Sequence, residues 1–88
     1  MEQPKLEIDD VGSKRWILPN GNPHRIDGPA IEYADGTKYW YQNGNRHRTD
    51  GPAIEWFGGT KSYYLNDKKY TEEEFEVEML KKKLELFG

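Results

Sequence analysis

The chain has 88 residues, 34% of them apolar and 33% charged, with a net charge of -3 and no cysteine. This length fits one small domain, and the missing thiols exclude disulfides and thiolate metal sites. The acidic balance excludes nucleic-acid affinity driven by general phosphate neutralisation, and no apolar run approaches the roughly 20 residues of a membrane helix. Three Trp, six Tyr and three Phe make up 14% of the chain. Large amphipathic rings therefore take the place of aliphatic bulk in a thin core, and their abundance argues against disorder.

Taken in chain order, the opening "MEQPKLEIDD" is acidic and polar. It lacks the basic and apolar regions of a signal peptide, and it holds one weak strand at 6–9. Further strands are expected at 15–18, 30–33, 38–42, 53–57 and 61–65, separated by turn residues. Asp35-Gly36 and Gly58-Gly59 supply the positive φ of tight hairpins, and Asn20-Gly21, Asn43-Gly44 and Asn66-Asp67 end the returning strands. With no helical stretch between them, neighbouring strands pair antiparallel in a meander.

Internal repetition is the strongest signal. Residues 20–38 and 43–61 share 14 identities in 19 positions at an offset of 23, without gaps. Stretches 11–21, 34–44 and 57–67 extend the pattern as three versions of one hairpin half, the outer units acting as caps. From Thr71 onward the period changes to that of a helix. Thr71 with Glu74 forms a capping box, acids fill the first turns, and Lys81 to Lys83 lie nearer the other end. Phe75, Met79 and Leu86 fall on one side of the helical wheel, and Val77, Leu80, Leu84 and Phe87 form a second group about 100° round. Gly88 is a natural stop. The fold class is mainly β: an antiparallel meander of repeated hairpins in a single sheet, with a C-terminal α-helix packed on it. Residues 1–88 form one domain, with the hairpin repeats over 11–67 and the helix over 71–87.

The repeated "HRxDGPA" carries the most chemistry-bearing residues. Arg25 and Asp27 are two apart, as are Arg48 and Asp50, so in an extended segment each pair points the same way and can bond. The aspartates can instead form Asx-turns with the backbone. Pro29 and Pro52 suit the first position of a strand. An enzyme is not expected, because Ser13 and Ser62 sit in turn or strand positions and no placed nucleophile accompanies His24 or His47. Equivalent residues of successive repeats lie two strands apart, about 9.5 Å, so the two histidines do not share a metal ion. Neither cofactor nor metal is expected. That spacing suits an extended partner instead: His24-Arg25 and His47-Arg48 form one cationic ladder, and Arg15, Lys38 and Lys61 a second, unless these charges only keep strand edges soluble. Strand alternation puts Trp16, Leu18, Tyr39, Tyr41 and Tyr64 on one face, with Ile17, Trp40, Tyr63 and Leu65 on the other. Both faces are apolar, and one helix can cover one of them. Tyr and Trp on the other face suit a partner contact. The candidate contact residues are His24, Arg25, His47, Arg48, Tyr39, Trp40, Tyr41, Trp56 and Tyr63.

The period of 23, the aromatic hairpin "GTKYWYQNG" and the loop "NGxxHR" resemble MORN-type repeats, in the divergent form of short bacteriophage and bacterial proteins. The matching residues are 40–60 and 66–75, and the likeness extends over about 12–75. This resemblance implies a single-sheet repeat scaffold that binds other molecules. The function expected from it is a non-enzymatic protein-binding module, phage-encoded, that inhibits a host defence or regulatory protein in the bacterial cytoplasm. Alternatives are a small-ligand sponge for a nucleotide signal and a structural or assembly subunit. A host protein is the expected partner, with a homodimer as a further expectation.

Overall fold

The computed structural model describes residues 3–87, apart from the side chains of Leu86 and Phe87; the expected stop at Gly88 also lies outside the described residues. Nine strands run in chain order: β1 (Lys5–Ile8), β2 (Lys14–Ile17), β3 (Ile31–Glu32), β4 (Lys38–Tyr39), β5 (Tyr41–Gln42), β6 (Asn45–Arg46), β7 (Ile54–Glu55), β8 (Lys61–Leu65) and β9 (Lys68–Tyr70). One helix follows, α1 (Glu72–Phe87). Seven strands form an antiparallel sheet in the order β1-β2-β3-β4-β7-β8-β9, and β5 pairs with β6 beside it. The expected meander with one helix is the architecture found. The expectation did not include the short return strands β6 and β9, each opposite an aromatic strand across a two-residue turn.

Trp40 separates β4 from β5 without interrupting hydrogen bonding. Its N–H donates to the Ala53 carbonyl at 2.7 Å, and its carbonyl accepts from His47 N–H at 3.0 Å. The strand thus passes from one neighbour to the other at Trp40.

Two turn types alternate. At the tips after β1, β3 and β7 the glycine N–H bonds back three residues: Gly12 to Asp9, Gly36 to Tyr33, Gly59 to Trp56. Gly36 has φ of 97° and Gly59 of 96°, whereas Asp35 and Gly58 keep ordinary φ. These are three-residue loops with one left-handed glycine, not two-residue turns with two. The other turns, Asn43-Gly44 and Asn66-Asp67, are two-residue loops with positive φ at both positions (52° and 82°, 50° and 71°), the mirror-image turn that follows strand twist. Their counterpart in the first unit is longer. There Leu18 N–H bonds Asn22 O and Gly21 N–H bonds Leu18 O, which makes Pro19-Asn20-Gly21 a three-residue loop.

That extra residue corrects the expected faces. Directly paired positions share a face, and Arg15, Ile31, Tyr39, Ile54 and Ser62 form one paired row. Lys14, Glu32, Lys38, Glu55 and Lys61 form the adjacent row on the other face. Alternation then groups Trp16 with Trp40 and Tyr63, and Ile17 with Tyr41 and Tyr64. Trp16 and Ile17 thus exchange the faces expected for them, because the extra loop residue makes Trp16 rather than Ile17 the equivalent of Trp40.

The molecule is a slab of 47 × 36 × 18 Å. Its core is thin: Ala30 and Ala53 at 0% exposure, with Ile54, Leu65 and Phe75 also buried. The helix sits at the last hairpin and does not cross the sheet; it contacts β8 and β9. Phe75 meets Tyr63 with ring centroids 4.9 Å apart, and the Tyr63 hydroxyl donates to Glu72 at 3.1 Å. The capping box is formed: Thr71 N–H donates to Glu74 at 2.8 Å and Glu74 N–H to Thr71 Oγ1 at 3.1 Å. Of the second apolar group on the helix, Val77, Leu80 and Leu84 are exposed. No helix among the described residues is long and apolar enough to cross a membrane.

Candidate functional site

Each "HRxDGPAxE" segment folds around its own arginine. The Arg48 guanidinium carbon lies 3.8 Å from the centre of the Trp40 ring. Nε donates to Asp50 at 2.8 Å, while Nη1 donates to the Pro52 carbonyl at 3.1 Å and to Glu55 at 2.7 Å. Arg25 repeats the arrangement over Trp16 at 3.9 Å, with Asp27 at 3.1 Å, the Pro29 carbonyl at 3.2 Å and Glu32 at 3.4 Å. The glycines complete this clasp. A Cβ added at Gly28 or Gly51 would stand 2.9 Å from the guanidinium carbon, so the cation is held between an indole and bare backbone. Cation–π contact, charge-assisted hydrogen bonds and close backbone approach thus explain Trp, Arg, Asp, Gly, Pro and Glu in one motif. The Arg48 bond holds the Asp50 carboxyl below the usual carboxylate range.

The histidines link one unit to the next. Nδ1 of His24 accepts from Asn43 N–H at 2.9 Å, and Nδ1 of His47 accepts from Asn66 N–H at 3.0 Å. Each imidazole therefore presents a lone pair at Nδ1 to the following turn. Burial pushes His47 below the ordinary histidine range, and the charge of Lys82 adds to this. A second link runs through buried hydroxyls: Ser13 Oγ accepts from Ala34 N–H at 3.0 Å, and Thr37 Oγ1 from Phe57 N–H at 3.2 Å.

This geometry changes the reading of both cationic ladders. The donors of Arg25 and Arg48 that make these bonds are engaged inside the fold, and their side chains are 25% and 19% exposed. Of the second ladder, Lys38 and Lys61 lie in one row with Lys14, not Arg15, and alternate there with Glu32 and Glu55 at paired positions, a row of alternating sign. Arg15 lies on the opposite face, 3.6 Å from Asp9.

The candidate aromatics divide between the faces. Trp40 and Tyr63 lie on the clasp face, beneath Arg48 and beside Phe75 respectively. Tyr39, Tyr41 and, by alternation, Trp56 lie on the other. There the Tyr39 ring stands stacked with Tyr41 at 6.0 Å and edge-on to Tyr33 at 5.6 Å. Burial raises the Tyr41 hydroxyl above its ordinary value. Arg46 lies 4.3 Å over the Tyr64 ring and is paired with Asp67 at 2.6 Å. Tyr33 and Arg46 were not among the expected contact residues. The strand period could have found Tyr33, two residues after Ile31, whereas Arg46 gives no sequence signal because its partners come from the next hairpin.

Among the described residues no cluster of three or more His, Asp or Glu side chains is placed to hold a metal ion. Compared with protein-family models, with curated proteins and with solved structures, the chain finds no match in any of the three.

Proposed function

We propose that the protein is a non-enzymatic protein-binding module whose recognition surface is the tyrosine face: Tyr33, Tyr39 and Tyr41, flanked by Trp56 and the Arg46–Tyr64 pair. The observation that supports this most is the division of labour between the two faces. The clasp face spends its arginines on internal bonds and receives the helix at Tyr63, whereas the opposite face gathers half-buried tyrosines whose mutual packing orders them before any partner arrives. Pre-ordered aromatic rings lose little conformational entropy on contact, which is why Tyr dominates many recognition surfaces. The likeness to MORN-type repeats of short bacteriophage proteins supports a narrower version, an inhibitor of a host defence or regulatory protein acting in the host cytoplasm. A nucleotide sponge is less well supported. Two of the three indoles, Trp16 and Trp40, are already covered by guanidinium groups.

The test is affinity capture from bacterial lysate with two matched variants. Tyr33→Glu alters the tyrosine face at a residue 39% exposed, and Ile26→Glu alters the clasp side at one 77% exposed. A protein retained by the wild type and by Ile26→Glu, but lost with Tyr33→Glu, is the expected result. Loss with Ile26→Glu alone would move recognition to the clasp face.

A further inference from the structure

From the helix we infer a second contact surface, independent of the tyrosine face: the outer side of α1 pairs antiparallel with α1 of a second copy of this chain. Phe75 and Met79 face the sheet, Phe75 buried and Met79 half-buried. On the far side Val77, Leu80 and Leu84 are 52%, 58% and 64% exposed. Their spacing of three then four residues is that of a coiled-coil seam, which places all three on one line. A seam of this kind left in water is an unpartnered apolar stripe.

The flanking charges indicate what covers it. With Val77 and Leu84 as a positions and Leu80 as d, Glu74 and Lys81 occupy e, and Glu76 and Lys83 occupy g. Each flank thus carries an acid toward the N-terminus and a base toward the C-terminus. In antiparallel pairs e meets e and g meets g. With Val77 set against the partner's Leu80, Glu74 meets the partner's Lys81 and Glu76 meets the partner's Lys83. The two-fold axis doubles both, giving four attractive pairs, and the helix dipoles oppose. A parallel pair brings g to e, so only Glu76 and the partner's Lys81 would meet, and the acidic first turns would lie side by side. The helix is therefore complementary to itself in one orientation.

Sedimentation equilibrium of the full chain tests this, with concentration carried into the millimolar range. The mass should approach twice that of the monomer. Leu80→Glu, at an exposed site, should hold the chain monomeric with an unchanged circular dichroism spectrum and, at micromolar concentration where the wild type is monomeric too, an unchanged melt. Lys83→Glu should weaken association by about tenfold, through two lost attractions and two new repulsions. Glu76→Lys combined with Lys83→Glu restores the g pairs of the antiparallel dimer but would set Lys against Lys81 in a parallel one. Recovery of the dimer by that double variant supports the proposal. A wild type that stays monomeric, a dimer indifferent to Leu80→Glu, or a double variant that associates no better than Lys83→Glu would each overturn it.

Discussion

Arg48 shows how one residue can hold a repeat together without a large core. Its guanidinium joins Asp50, the Pro52 carbonyl, Glu55 and the Trp40 ring, and the arrangement closes only because residue 51 lacks a side chain. Gly51→Ala should therefore destabilise the fold by about 1–3 kcal/mol, the usual cost of overpacking. Gly58→Ala should change little, since a Cβ there meets nothing within 4 Å. Equal denaturant midpoints for the two variants would remove the clasp from the account. His47 offers a pH test at the same scale. Its value in the folded state lies below the ordinary 6.5, so between the two values the folded chain binds fewer protons than the unfolded one. Stability from this group is full above about 6.5 and is lost as pH falls toward the lowered folded value. The protonated ring also loses the lone pair that receives Asn66 N–H. The carboxylates with lowered values, Asp50 and Asp67, act only below their ordinary 3.8. Melting temperature should thus fall as buffers pass from about pH 7.5 to about pH 5.5, and the fall should shrink in His47→Gln. An undiminished fall in that variant would assign the effect elsewhere. Of these contacts the sequence made the Arg25–Asp27 and Arg48–Asp50 pairs legible, because two-residue spacing in extended chain fixes a common direction. The indole under each guanidinium and the reason for each glycine were not legible, since both depend on which strand lies alongside.

At the scale of elements, the hairpins explain both what could be read in advance and what could not. Turn residues placed β2, β3, β4, β7 and β8 close to where they lie, and the Thr71–Glu74 box placed the start of α1. Strands β6 and β9 escaped because two or three polar residues carry no alternation to read; the Asn43-Gly44 and Asn66-Asp67 turns that precede them were the available signal. The exchange of Trp16 and Ile17 has a local cause, the one additional residue in the loop Pro19-Asn20-Gly21. A one-residue change of phase moves side chains to the opposite face, but here it is absorbed inside the turn. Deleting Pro19 would leave Leu18 joined directly to Asn20-Gly21, matching Gln42 joined to Asn43-Gly44. The deletion should keep the fold, with stability within about 1 kcal/mol of wild type. Deleting Ile17 instead should be more destabilising, because Leu18 then takes its place and Pro19, which has no N–H, stands where Leu18 N–H bonds Asn22 O. Comparable melts for the two deletions would contradict the turn assignment.

The whole molecule behaves as a short one-dimensional array. The contacts joining the first unit to the second recur between the second and the third: Ser13 to Ala34 becomes Thr37 to Phe57, and His24 to Asn43 becomes His47 to Asn66. Lys14 opposite Glu32 becomes Lys38 opposite Glu55. The array ends where Thr71 stands in the place of a third clasp arginine and caps the helix, and Phe75 rather than a guanidinium lies against Tyr63. An interface that already occurs twice should tolerate a third occurrence, because repeat stability is close to a sum of unit and nearest-neighbour terms. Inserting a second copy of residues 24–46 between Arg46 and His47 provides every partner that the new unit needs. The inserted arginine finds a Trp beneath it and a Gly beside it, and the inserted histidine meets the Asn N–H of the turn that follows. The enlarged chain should fold cooperatively, melt no lower than wild type and unfold with an m-value larger by about a quarter, in proportion to the added surface. The helix should be undisturbed, since the strands it packs on, β8 and β9, both follow the point of insertion. An insertion product that is unfolded, or that melts in two separate steps, would mean that the two observed junctions are not interchangeable and that the array depends on something particular to its ends.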